Sequence, residues 1–221
     1  MATSDRGRIL SLIGAVAFVL GTMALGYLRI GLPPVVIVGG SGVIALVMWN
    51  RYYLKRPPTP DVILPLFLLT VAALEIHMME EYLTGFGPAM SRLFDISWTE
   101  RSFLIVFAFV GPALYALTAL GLYFRVPLAG FMAWFIFIGP GVAEFTHFVF
   151  PVLKPGDPPG AARNAFGDRV ERPVRCGDAN YYLGTTGTYY FPGLYTAVLP
   201  MIPGIWAIVR MVRSRAQEPR G

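Results

Sequence analysis

The strongest constraint on this chain is a succession of long apolar runs, each close to the roughly 20 residues that a helix needs to cross the hydrocarbon core of a bilayer. They cover residues 9–28, 33–50, 61–83, 101–124, 128–153 and 191–212. A soluble domain has no room to bury so many continuous apolar stretches. In lipid they are favourable, because a helix satisfies its own backbone and turns its side chains to the acyl tails. A content of 55% hydrophobic and 14% charged residues agrees. The expected fold is all-α: a polytopic membrane protein with about six transmembrane helices in a bundle. Residues 1–221 form a single membrane domain, with residues 154–189 as an extramembrane loop.

The net charge of +5 does not point to nucleic acid, because the basic residues flank the apolar runs and form no aromatic-studded basic stripe. Membrane lipids are the expected surroundings. With six alternating spans, Arg6, Arg8, Arg51, Lys55, Arg56, Arg125, Arg210, Arg213 and Arg215 share one side, and the positive-inside rule makes it cytoplasmic, with both termini. Lys154, Arg163, Arg169, Arg172 and Arg175 fall opposite, in a long loop that counts less toward orientation. Arg6 and Arg8 ahead of the first run resemble a signal peptide in charge, yet the run's length favours a retained span; Ala24-Leu25-Gly26 leaves cleavage open. The single Cys176 allows no disulfide within the chain and no cysteine-based metal knuckle.

Polar residues inside the runs carry the chemistry. The chain has two histidines, and both end apolar runs beside carboxylates. In Ile76-His77-Met78-Met79-Glu80-Glu81, helical spacing places His77, Glu80 and Glu81 within an arc of about 100°. In Glu144-Phe145-Thr146-His147, carboxylate and imidazole are again three apart. Alternation makes the third and fifth spans parallel, so both clusters share a depth and a side. The Tyr190-Phe191-Pro192-Gly193 start of the last span is on that side too, and the segments 84–95 and 151–189 roof the pocket. Charge inside a bilayer costs roughly 2.5–3.5 kcal/mol per residue on insertion scales, so such groups are paired or functional. Local signals add detail. Ser97-Trp98-Thr99-Glu100 reads as a capping box opening the fourth span with Ser97 as cap. Gly139-Pro140-Gly141 is expected to bend the fifth span and aim Glu144 and His147.

Together these residues resemble the HXXEE family of bacterial membrane proteins, named for a His-x-x-Glu-Glu motif and carrying a further histidine and a Tyr-x-Pro-Gly motif. His77-Met78-Met79-Glu80-Glu81 matches the first, His147 the second and Tyr190-Phe191-Pro192-Gly193 the third, in order from Asp61 to about Pro203. The resemblance implies a bacterial inner-membrane location and groups these residues. It supplies no biochemical activity.

Two imidazoles with two or three carboxylates are a ligand set suited to a divalent Zn, Fe or Mn ion. His77, Glu81, Glu144 and His147 are the expected ligands of one metal or a close metal pair, with a position open for water or substrate. Glu80 and Tyr190 are assigned to catalysis. Glu80 is the general base, because His77 and Glu81 lie closer together around the helix than Glu80 does to Glu81, and Tyr190 is a hydrogen-bonding partner at the same depth. The expected activity is a metal-dependent hydrolase or oxidoreductase acting on a lipid-like or apolar small molecule. A metal-free acid/base isomerase is a second reading, since His77, Glu81 and Glu144 are similar to the His-x-x-x-Glu pair and further Glu of the emopamil-binding sterol isomerases. A proton-coupled transporter or binding protein is a third. Glu75 faces away from His77 and is expected to pair with a neighbouring helix, and Thr146 to bond a backbone carbonyl. Nothing in the pattern specifies an oligomeric state.

Overall fold

The computed structural model describes residues 5–94, 96, 98–153, 183 and 187–216. Ser97, Cys176, the five basic residues of the long loop and most of that loop lie outside the described residues. The described chain is all-helical. In order, its helices are α1 (Asp5–Arg29), α2 (Leu32–Tyr52), α3 (Pro60–Thr84), α4 (Phe86–Phe94), α5 (Glu100–Tyr123), α6 (Pro127–Val152) and α7 (Val198–Ala216). Five of them, α1, α2, α3, α5 and α6, are long and apolar enough to cross a membrane.

Local chemistry sets the boundaries. Pro60 occupies the first turn of α3, where a missing N–H costs nothing, and Gly85 stops the helix in the left-handed region at φ 82°. At α5 the cap is Thr99, whose side chain accepts the Ser102 N–H at 3.1 Å, in place of the expected Ser97. Within α5, Pro112 has no N–H and crowds the carbonyl four residues back. The helix widens to π geometry over Leu104–Val110, and the Gly111 N–H reaches the Val106 carbonyl.

Two regions differ from expectation near the polar cluster. The segment after α3, expected as a loop, holds α4, because Phe86, Ala89, Met90 and Leu93 recur at helical spacing and bury one face. The last helix begins at Val198 instead of Phe191. Gly193 sits at φ 88°, so Phe191–Ala197 runs as a series of turns packed into the protein. The apolar part of α7, Val198 to Val209, spans only about 18 Å before Arg210, short of the roughly 30 Å hydrocarbon core. This is why α7 does not stand with the other five.

α7 packs between α3 and α6, α2 packs on α6, and α1 lies outermost. Gly141 of α6 and Gly204 of α7 meet at their Cα atoms; a Cβ built on Gly204 would lie 2.6 Å from the Gly141 Cα. One apolar core, with Trp49, Phe67, Phe131, Trp134 and Phe137, fills the end where Trp49 Nε1–H donates to the Pro127 carbonyl at 3.0 Å. A second, with Met78, Phe86, Phe103, Phe150 and Phe191, surrounds the polar cluster.

Candidate metal centre

α3 delivers two side chains to the centre. One helical turn separates His77 from Glu81, about 40° around the axis, so both point inward; they are 0% and 2% exposed. The geometry of α6 is different. Past Val142 it tightens into a 3₁₀ helix over Ala143–Phe148. Three residues per turn eclipse positions three apart, so Glu144 lies directly in line with His147. Pro140 and Pro151 bracket this stretch, and Pro151 has no N–H to give the His147 carbonyl the α-helical bond. Thr146 Oγ1 donates to the Ala143 carbonyl at 2.8 Å, as its neighbourhood suggested.

The four side chains close into a ring of alternating nitrogen and oxygen. His77 Nε2 lies 3.1 Å from Glu144 Oε2 and 3.6 Å from Glu81 Oε1. His147 Nε2 lies 3.0 Å from Glu144 Oε2 and 3.1 Å from Glu81 Oε1. The imidazole planes stand at 87° to each other, with centroids 4.8 Å apart. Four ligands about 2.0–2.1 Å from a common centre in a tetrahedron would be about 3.3–3.4 Å from one another, which is close to the four edges of the ring, and all four atoms lie within 4.8 Å of one another. His77, Glu81, Glu144 and His147 can together hold a metal ion.

The outer nitrogens fix what the inner ones offer. His147 Nδ1 is 2.9 Å from the Pro192 carbonyl, which can only accept, so Nδ1 carries the proton. His77 Nδ1 is 3.0 Å from Thr196 Oγ1, and that hydroxyl in turn donates to Glu80 Oε2 at 2.6 Å. With its hydrogen given to a carboxylate, Thr196 accepts from His77. Both Nδ1 protons therefore point outward, and each Nε2 faces two carboxylate oxygens, as a metal ligand when it is unprotonated or as a hydrogen-bond donor when it is protonated. Four electron-rich atoms at this separation repel unless a cation, a metal ion or protons, lies among them.

Glu80 is not a member of the ring. Its 100° offset from Glu81 turns it to the chain preceding α7, where it accepts from the Thr196 N–H at 2.8 Å, the Tyr195 N–H at 3.3 Å and the Tyr190 hydroxyl at 3.3 Å. The structure thus places the expected base one residue behind the centre, linked to it through Thr196, and places Tyr190 behind Glu80. Thr196 is the functional residue that sequence reasoning missed. It belongs to no spacing pattern, and the sole signal was its place one turn beyond Tyr190-Phe191-Pro192-Gly193. That motif does more than start a helix. Pro192 supplies the carbonyl that sets the His147 tautomer. A Cβ on Gly193 would lie 2.6 Å from His147 Cε1 and 2.9 Å from Glu81 Cγ, so only glycine admits both neighbours.

Glu75 stays outside the centre; its Oε1 is buried without a hydrogen-bond partner among the described residues, so the expected pairing with a neighbouring helix is not seen for that oxygen. Met78 packs in the surrounding core, while Met79, Phe145 and Phe148 face outward. Phe86 lies over His147 with ring centroids 5.3 Å apart. No family model, curated protein or solved structure matches this chain.

Proposed function

We propose that the protein is an integral membrane metalloenzyme that holds one divalent Zn, Fe or Mn ion among His77, Glu81, Glu144 and His147. The observation that carries this reading is the pair of Nδ1 contacts to Thr196 and Pro192, which turns both Nε2 atoms and two carboxylate oxygens toward a common centre. One divalent cation neutralises two carboxylates, which makes the centre net neutral and tolerable at membrane depth. The ring perimeter favours one ion over a metal pair.

A divalent cation at such a site polarises a substrate oxygen and acidifies a bound water, the chemistry of a hydrolase or, with Fe or Mn, of an oxidoreductase. The protein's own groups do the rest. Thr196 and Glu80 orient His77, the Pro192 carbonyl orients His147, and Tyr190 steadies Glu80, so that Glu80 and Tyr190 act by positioning. The substrate is a lipid-like or apolar small molecule. Glu144 is the most exposed ring member at 14%, and it is flanked by the outward-facing Phe145, Phe148 and Val149, so this corner of the centre is one side chain away from the acyl tails.

The chain belongs, on this reading, with the HXXEE group in a bacterial inner membrane. It crosses six times, with α7 completing the sixth crossing; of the turns before it, Phe191, Pro192, Gly193, Leu194 and Ala197 are buried while Tyr195 faces outward. The centre lies about 17 residues of helix from Pro127, roughly 25 Å along α6 from the basic end, which places it toward the outer face with the termini cytoplasmic.

Metal analysis of detergent-purified protein tests the proposal. About one equivalent is expected in wild type and little in His77→Ala, His147→Ala, Glu81→Ala or Glu144→Ala. Folded wild type without metal would overturn it in favour of a proton-filled ring and metal-free acid/base chemistry.

A further inference from the structure

One carboxylate at the depth of the ring takes no part in it. Glu75 lies on the far side of α3 from His77, and its Oε1 is buried with no hydrogen-bond partner among the described residues. An unsatisfied buried acceptor is costly, and an acidic group at membrane depth is normally paired or functional. No Lys or Arg occurs in α3, and α5 carries none between Arg101 and its end at Tyr123. A divalent ion in the ring offsets Glu81 and Glu144 and leaves the Glu75 carboxylate without a counter-charge.

Its neighbour is Tyr115 of α5. Tyr82 near the end of α3 stacks on Phe103 near the start of α5, with centroids 6.2 Å apart, so the two helices run in opposite directions. Glu75 lies about 10 Å back along α3 from Tyr82, and Tyr115 about 18 Å along α5 from Phe103. Each side chain leans toward the N-terminus of its own helix, Glu75 toward Pro60 and Tyr115 toward Glu100, which closes the difference. Tyr115 is accordingly within electrostatic reach of Glu75, and also of Glu144 in the ring. Its hydroxyl sits over Gly111, directly after the widened Leu104–Val110 turn, where a Cβ would lie 3.1 Å from it. The surroundings are apolar. Leu68 and Met79 share the Glu75 stripe of α3, Leu117 is on α5, and all three face outward.

One carboxylate and one phenol are too few ligands for an inorganic divalent cation, which takes six or so oxygens. A carboxylate beside an aromatic ring suits an organic ammonium instead, through charge and through cation–π attraction. We propose that Glu75 and Tyr115 bind the ammonium head of an amphiphilic amine, and that the substrate belongs to this class. Its apolar body lies among the acyl tails, and the molecule extends past Tyr115 toward the Glu144 corner of the ring.

This deepens the metalloenzyme reading and rests on it for the role of the ligand, and one set of samples separates the two. Purified protein in a non-ionic detergent is assayed for metal content and for saturable binding of radiolabelled hexadecylamine, competed by unlabelled hexadecylamine or hexadecanol. Wild type, Glu75→Gln and Tyr115→Phe are compared. Wild type is expected to bind about one equivalent of amine, with hexadecanol about tenfold weaker as a competitor, the factor that a charged hydrogen bond contributes. Glu75→Gln keeps the side-chain shape without the charge and should bind the amine about tenfold more weakly. Tyr115→Phe keeps the ring and should lose a smaller factor, about two- to fivefold. Metal content at the wild-type level in both variants shows the fold and the ring intact. No saturable amine binding by metal-loaded wild type, equal competition by hexadecanol, or wild-type amine affinity in Glu75→Gln would overturn the ammonium site. Loss of metal in Glu75→Gln would also overturn it, by making Glu75 part of the centre. Wild type that binds the amine through Glu75 but holds no metal would overturn the metal reading alone.

Discussion

At the residue scale, the centre is defined as much by what holds the imidazoles as by what they face. Thr196 accepts from His77 and donates to Glu80, so its hydroxyl is a one-atom bridge between a ligand and a carboxylate. Groups that orient metal ligands are typically worth 10–100-fold in affinity. Thr196→Val should therefore weaken metal binding by about that factor in chelator competition, whereas Thr196→Ser should restore it. Gly193→Ala has two costs. The left-handed backbone penalises any side chain by about 1–2 kcal/mol, and the new methyl displaces the His147 ring. Its thermal midpoint and its metal content should fall together; unchanged metal content would show that the Pro192–Gly193 turn does not set the ring. The four ring members were legible in the sequence, because rare charged residues at helical spacing in an apolar run have few other uses. The direction in which Glu80 faces was not. A carboxylate 100° from its neighbour faces either the centre or the chain beside it, and only the course of residues 191–197 decides which.

Among the elements, α7 is pivotal although it falls outside the five long apolar helices. It reaches α6 through the Gly141–Gly204 contact, where no side chain separates the backbones. Gly204→Val should push the helices apart, lowering stability by about 1–3 kcal/mol as over-packing does, and should carry Pro192 and Thr196 away from the histidines. Thermal unfolding with and without metal checks this: the variant should show a smaller metal-induced rise in midpoint than wild type. Five of the apolar runs were read from sequence to within about four residues, since hydropathy and proline or glycine boundaries act locally. The start of α7 and the 3₁₀ turn of α6 were not legible. The first depends on the positive φ of Gly193, and the second on the joint effect of Pro140 and Pro151, which a helical repeat of 3.6 residues does not register.

Over the whole molecule, the proposed six crossings predict that reporter fusions at both termini label the cytoplasmic side and a fusion within residues 154–182 labels the other. Termini on opposite sides would remove the sixth crossing. Metal should also stabilise the whole bundle, because a ligand at about 1,000 times its dissociation constant adds about 4 kcal/mol, so chelation should lower the thermal midpoint of wild type and leave His147→Ala unmoved. The dependence of both histidines on residues 192–196 has a consequence for biosynthesis. His77 and His147 leave the ribosome well before Pro192 and Thr196, so a growing chain can insert α3 and α6 while neither imidazole yet has its outer partner. If the centre takes up metal as proposed, it does so only after residues 192–196 dock, and a chain stopped before Pro192 is expected to hold α3 and α6 without metal.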